Sequence, residues 1–152
     1  MNGKDVLTED RIKKFTEICS ELSIKLTHQR IKVFNALVVL ENHPSAEDVY
    51  KRVKSRVPSI SFDTVYRTLA LFENHGVINR VQCLDERARY DSNTTHHHHL
   101  ICIKCKKIQD FSWPALDEIK IPEETKEWGS IESNSVTLKG ICRNCLENEK
   151  GK

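Results

Sequence analysis

Asp91-Ser-Asn-Thr-Thr-His96-His97-His98-His99-Leu-Ile-Cys102-Ile-Lys-Cys105-Lys-Lys-Ile-Gln-Asp110 sets two kinds of metal-binding side chain in one short stretch. Four consecutive imidazoles between carboxylates offer mixed nitrogen and oxygen donors that suit iron, manganese, zinc or nickel, whereas Cys102 and Cys105 form half of a thiolate site. The other half follows as Cys142 and Cys145. One CxxC alone could be a redox pair or chance. A second at domain-scale spacing favours a four-cysteine zinc site. The histidine run is internal and continues into alternating, strand-like residues, which argues against an expression tag.

The 152 residues allow one substantial domain or two small ones sharing an interface. No run of about eighteen apolar residues is present, so no membrane-spanning helix is expected, and the first residues lack the apolar segment of a signal peptide. A cytoplasmic location is the expectation. Six cysteines without an export signal point to metal ligation over disulfides. Cys19 continues an apolar helix face and reads as a small core residue, and Cys83 falls in a turn. The net charge of +2 is modest. A basic face for nucleic acid would have to come from clustering, as in Lys51, Arg52, Lys54 and Arg56.

Helical spacing of Ile12, Phe15, Cys19 and Leu22 predicts a first helix over 8–22 with Thr8 as N-cap. A second starts after Thr27, with Ile31, Phe34, Leu37 and Val38 turned inward, and stops near Asn42, His43 and Pro44. Ser45 with Asp48 resembles a capping box for a third helix whose stripe is Val49, Tyr50, Val53 and Val57. The fourth begins at Ser61. Its apolar line, Val65, Leu69 and Phe72, turns Asp63, Arg67, Ala70 and Asn74 to the opposite side with Tyr66 on the flank, and Gly76 closes it. The period then changes to two over 77–82 and 88–91, a short hairpin. Helices followed by a hairpin is the order of a winged helix, in which the helix before the wing enters the major groove. Beyond it, strands are expected over 96–102, 107–111 and 131–138, with an interrupted helical stretch over 113–128.

Several of these motifs stand in one order. Through Thr27-His-Gln-Arg30, His43-Pro-Ser-Ala46, Thr64-Val-Tyr-Arg67, Arg89-Tyr-Asp91, the His96–His99 run and the paired CxxC motifs, the chain resembles the ferric uptake regulator family of metal-dependent repressors. The resemblance implies an α+β protein: a winged-helix DNA-binding domain, 1–88, hinged to an α/β dimerisation and metal-binding domain, 89–152. It implies a structural Zn(II) on Cys102, Cys105, Cys142 and Cys145, and a regulatory Fe(II) or Mn(II) on His43, Asp91, His97, His99 and Asp110. In a strand His97 and His99 point to one face, so both can reach one ion while His96 and His98 point away as solvated or supporting residues. Alone, His43 would read as an ordinary loop histidine. Lys106 stands where the family commonly has glycine, and a positive φ there would be strained.

Asp110 stands where iron-sensing members typically carry glutamate, and Asn134 where many iron and zinc sensors place a further histidine. Both favour the peroxide-sensing branch, in which the oxidant formed at Fe(II) attacks ligand histidines, here matched by His43 and His97. An iron or zinc uptake repressor is the alternative. The expected partners are a double-stranded DNA operator, contacted by Tyr66 and Arg67, and a second copy of the chain. Tyr66 reads equally well as a flanking core aromatic. A disulfide oxidoreductase would need a CxxC opening a helix in a βαβ context, which neither pair has, so no enzyme is expected.

Overall fold

The computed structural model describes residues 3–81 and 87–150 and divides into two compact units, Met1–Thr94 and Thr95–Lys152. Cys83 and the expected hairpin connection at 83–86 lie outside the described residues. The architecture is α+β.

The first unit opens with helix α1, Gly3–Glu21, which begins earlier than the apolar spacing predicts and leaves Thr8 inside the helix, where it cannot act as N-cap. Helices α2 (His28–Val39), α3 (Ala46–Lys54) and α4 (Phe62–Asn74) follow. Each is capped by the expected hydroxyl residue. Thr27 accepts from the Arg30 amide at 3.3 Å, Ser45 and Asp48 form a full capping box, and Ser61 accepts from the Thr64 amide at 3.1 Å. Such caps satisfy orphan amides and each contributes about 1 kcal/mol. Strands β1 (Asn79–Val81) and β2 (Arg89–Asp91) pair antiparallel, with Arg80 opposite Tyr90. This pairing places 89–91 with the first unit.

Its core is an aromatic triad. Phe15 stacks on Phe34 with centroids 3.8 Å apart, and Phe72 meets both edge-on. Cys19, Val33, Leu37, Val49, Val53, Val65, Leu69 and Tyr90 fill in around it. Leu22 and Ile31, expected to face inward, are exposed at the ends of their helical stripes. Cys19 is fully buried, and burial pushes its thiol pKa up, as expected for an inert core residue.

The 41–45 connection is the tightest piece of backbone. Glu41, Asn42 and His43 have φ of 34°, 60° and 56°, three successive left-handed residues that lead into Pro44. Non-glycine residues there cost of the order of 1 kcal/mol each, so surrounding contacts must hold the segment. The Tyr90 amide donates to the Pro44 carbonyl at 3.0 Å, and Ser45 bridges Arg89. The loop is thereby stitched to β2.

In the second unit β3 (His98–Cys102) is central, antiparallel to β4 (Ile108–Phe111) and parallel to β5 (Thr137–Gly140). Helices α5 (Pro114–Asp117) and α6 (Thr125–Trp128) are single turns, shorter than the expected helical stretch, and α7 (Arg143–Lys150) follows β5. β5 begins later than the strand predicted from 131, because the ladder to β3 starts only at Thr137. Among the described residues the buried set of this unit is small: His98, Ile101, Cys102 and Ile108. A core of that size needs a staple.

Lys106 has φ of 61° in the turn after Cys105, as its position implied. Its ammonium donates to the Ile103 carbonyl at 2.7 Å, a partial offset. Lys106→Gly is expected to stabilise the chain by about 1 kcal/mol, read as a higher thermal midpoint. An unchanged or lower midpoint would show that the side-chain contact outweighs the backbone strain.

Candidate metal centres

The parallel β3–β5 ladder sets Cys102 opposite Gly140, which delivers Cys142 to the end of β3. The CxxC turn supplies Cys105, and the start of α7 supplies Cys145. Cys102 and Cys145 sulfurs lie 3.9 Å apart, those of Cys105 and Cys142 3.7 Å, and all four within 4.8 Å of one another. Zinc–sulfur bonds of about 2.3 Å at tetrahedral angles set sulfurs about 3.8 Å apart, so the quartet fits zinc. The Cys142 amide donates to the Cys102 sulfur at 3.3 Å. That bond, with further backbone donors, lowers the Cys102 thiol to about 6. Cys145, hydrogen-bonded first to Cys142 and surrounded by the other sulfurs, is pushed up to about 12. The metal-free cluster at neutral pH therefore holds a thiolate at Cys102 and a thiol at Cys145.

The histidines divide by strand face. On one, His97 and His99 present Nε2 atoms 3.1 Å apart, each 3.6 Å from Asp110 Oδ1, because His99 and Asp110 are register partners across β3 and β4. Metal–donor bonds of about 2.1 Å at right angles separate donors by about 3 Å, close to this spacing. His97 Nδ1 lies 2.6 Å from the Thr95 carbonyl. A carbonyl only accepts, so the proton sits on Nδ1 and Nε2 is the accepting nitrogen, the form a metal ligand needs.

On the other face, His96 and His98 both reach Asp117 Oδ1, at 2.7 and 3.0 Å. The Val136 amide donates to His98 Nδ1, which leaves the His98 proton on Nε2 for Asp117. The bond from His96, chiefly, holds Asp117 below the usual carboxylate range. His98 is 1 % exposed, so of the two readings, solvated or supporting, the solvated one does not hold for it, and Asp117 escaped the sequence reading altogether. These three donors also converge closely enough for a cation. The signal available was Pro114, which opens a helix and puts an acid in its only turn.

In the first unit, His43 Nε2 lies 3.3 Å from Asp91 Oδ2, and each residue is 6 % exposed. The Asn93 amide donates to Asp91 Oδ1 at 2.7 Å and fixes the carboxylate. On α4, Tyr66 is half exposed and stands in a row with Tyr50 and Phe62, so it is not a core aromatic. Arg67 is 79 % exposed, on the side away from buried Val65, Leu69 and Phe72.

Zinc binding displaces protons from thiols but not from a thiolate. The number released on zinc binding is expected to rise by about one as pH is lowered from about 7 to about 5, because Cys102 protonates through that window. Calorimetry in buffers of different ionisation enthalpy reads the count. A flat count would mean that the quartet is not preformed without zinc.

The profile of the ferric uptake regulator family matches residues 21–139. The peroxide-responsive repressor PerR of Staphylococcus epidermidis is 32% identical over 124 residues, covering 82% of this chain and 83% of that protein. Among solved structures, the Campylobacter jejuni peroxide stress regulator superposes with a TM-score of 0.66 at 27% identity, covering 95% of this chain and 100% of the other. The iron-containing ferric uptake regulator from Francisella tularensis gives 0.64 at 30% identity, covering 80% and 94%. Among the described residues, no helix is long and apolar enough to cross a membrane. With the winged-helix order, the thiolate quartet and a match across most of its length, the chain belongs to the ferric uptake regulator family, whose members are metal-dependent transcriptional repressors.

Proposed function

We propose that this protein is a cytoplasmic, homodimeric repressor that senses peroxide through oxidation of the histidines that hold its regulatory metal. The observation that carries the reading is the His97, His99 and Asp110 triplet, an open nitrogen and oxygen donor set in which the carboxylate is an aspartate. Its relatives from Staphylococcus epidermidis and Campylobacter jejuni bear peroxide-sensing names.

The triplet and the His43–Asp91 pair share one Fe(II) or Mn(II) in this reading, and Cys102, Cys105, Cys142 and Cys145 hold Zn(II). When bound, iron(II) would let one peroxide oxidise a neighbouring imidazole by two electrons, one oxygen passing to the ring and the other leaving as water. His97 is aimed by its bond to Thr95, and His43 by Asp91, so these two rings are the oxidation targets. Loss of either ligand weakens the link between the halves and with it the spacing of the two recognition helices in the dimer. The site acts once per molecule rather than turning over. Exposed Leu100, Leu138 and Leu146 suit burial against the second copy.

Helix α4 is the DNA-reading element, with Tyr66 placed for a thymine methyl and Arg67 for a base or phosphate. Arg67→Ala is expected to weaken operator binding by about 1–3 kcal/mol, measured by titration at fixed salt. Unchanged affinity and salt slope would remove Arg67 from the contact set.

Peroxide treatment of the Fe(II)-loaded protein is expected to add the mass of one oxygen to peptides holding His43 or His97 and to abolish DNA binding in parallel, with neither change in the Mn(II) form. No mass gain with DNA binding retained would favour an iron uptake repressor, in line with the ferric uptake regulator named for Francisella.

A further inference from the structure

We propose that Asp63 is a specificity-determining residue for DNA, acting by holding Arg67 in the orientation that reads a base. The inference rests on the reading of α4 as the DNA-contacting helix. Arg67 Nε lies 2.9 Å from Asp63 Oδ2, one helical turn earlier. Both side chains are largely exposed, at 79% and 68%, so burial does not force the pairing. They project from the same side of α4, opposite the buried line of Val65, Leu69 and Phe72.

An aspartate in the first turn has a plain explanation, since it complements the helix dipole. The position of the pair adds a second role. A face meant to meet a polyanion gains nothing in affinity from a carboxylate, which repels phosphates and neutralises the nearest cation. What it changes is selectivity. With Nε engaged by Asp63, Arg67 keeps its two terminal nitrogens, the edge whose spacing matches guanine O6 and N7. The free guanidinium would otherwise swing to a phosphate, a contact that carries no sequence information. The remaining carboxylate oxygen can accept from the amino group of a neighbouring cytosine or adenine and cannot accept from a thymine O4.

The backbone under the pair is fixed. Ser61 caps α4 through the Thr64 amide, and the Ser61 and Thr64 hydroxyls lie 2.9 Å apart. Asp63 therefore stands on an ordered first turn, and its reach to Arg67 depends on side-chain torsions alone. The basic cluster of α3 and its flank, Lys51, Arg52, Lys54 and Arg56, supplies non-specific attraction on the same unit, so a selectivity device on α4 has a background to work against.

The test selects from a pool of DNA duplexes with a randomised core, using the full chain supplied with zinc and manganese. Wild type, Asp63→Ala, Asp63→Glu and Arg67→Ala are compared. The base pair whose preference Arg67→Ala erases defines the Arg67 contact. At that pair Asp63→Ala is expected to lose about fivefold or more of the wild-type discrimination, while Asp63→Glu, which can still pair one turn away, keeps most of it. Asp63→Ala is also expected to bind a scrambled duplex more tightly, with a salt slope steeper by up to about one. Equal discrimination by Asp63→Ala and wild type at that pair overturns the proposal while leaving the reading of Arg67 intact. An Arg67→Ala profile identical to wild type overturns the reading beneath it instead. Zinc content and helical circular dichroism, measured on every variant, separate these outcomes from misfolding.

Discussion

The register of β3 between its two neighbours is the constraint on which the chemistry of the second unit depends. Setting His99 against Asp110 on one side and Cys102 against Gly140 on the other ties the His97–His99–Asp110 and four-cysteine clusters to a single strand of five residues. A slip of one residue would turn every side chain to the opposite face. His97 and His99 would leave Asp110, His96 and His98 would leave Asp117, and Cys102 would turn away from Cys142. Because the buried set of this unit is so small, apolar packing supplies little resistance to such a slip. Closing the four cysteine sulfurs on one ion would be incompatible with any other pairing, so an ion held there would lock the register.

Much of this was readable from the residues because the relevant periods are short. Strand alternation separates His97 and His99 from their neighbours, cysteine pairs announce themselves by spacing, and hydroxyl residues before apolar helical stripes mark the starts of α2, α3 and α4. Even the strain at Lys106 could be anticipated from a glycine-like position. What was not legible depends on tertiary placement. Asp117 reaches His98 across a sequence gap of 19 residues from a single-turn helix. No local pattern distinguishes it from other surface acids. Alternation left His98 open between a solvated and a supporting role, because the opposite face of a three-stranded sheet is often open; here Asp117 of α5 and the Val136 amide engage it. The start of α1 escaped because Thr8, followed by acids and the apolar stripe, resembles a cap but lies inside the helix.

The first unit shows a different economy. His43 sits at the end of three left-handed residues, in a segment that the contacts of Pro44 and Ser45 tie to β2. The strain is met by the same hydrogen bonds that bring His43 to Asp91, so folding of the helices and of the β1–β2 pair sets the two side chains together.

The four cysteines stand far apart in the chain, with Cys145 43 positions after Cys102. At a synthesis rate of roughly 5–20 residues per second, about 2–9 s separate their appearance. During that interval β3 has its antiparallel neighbour but not its parallel one, and Cys102 and Cys105 wait without the other half of their site. The first unit, which ends at Thr94, has all of its partners before Cys102 is made. Scarcity of zinc therefore bears on newly made chains, which still expose an open sheet edge and two reduced thiols, before it reaches molecules whose clamp has already closed.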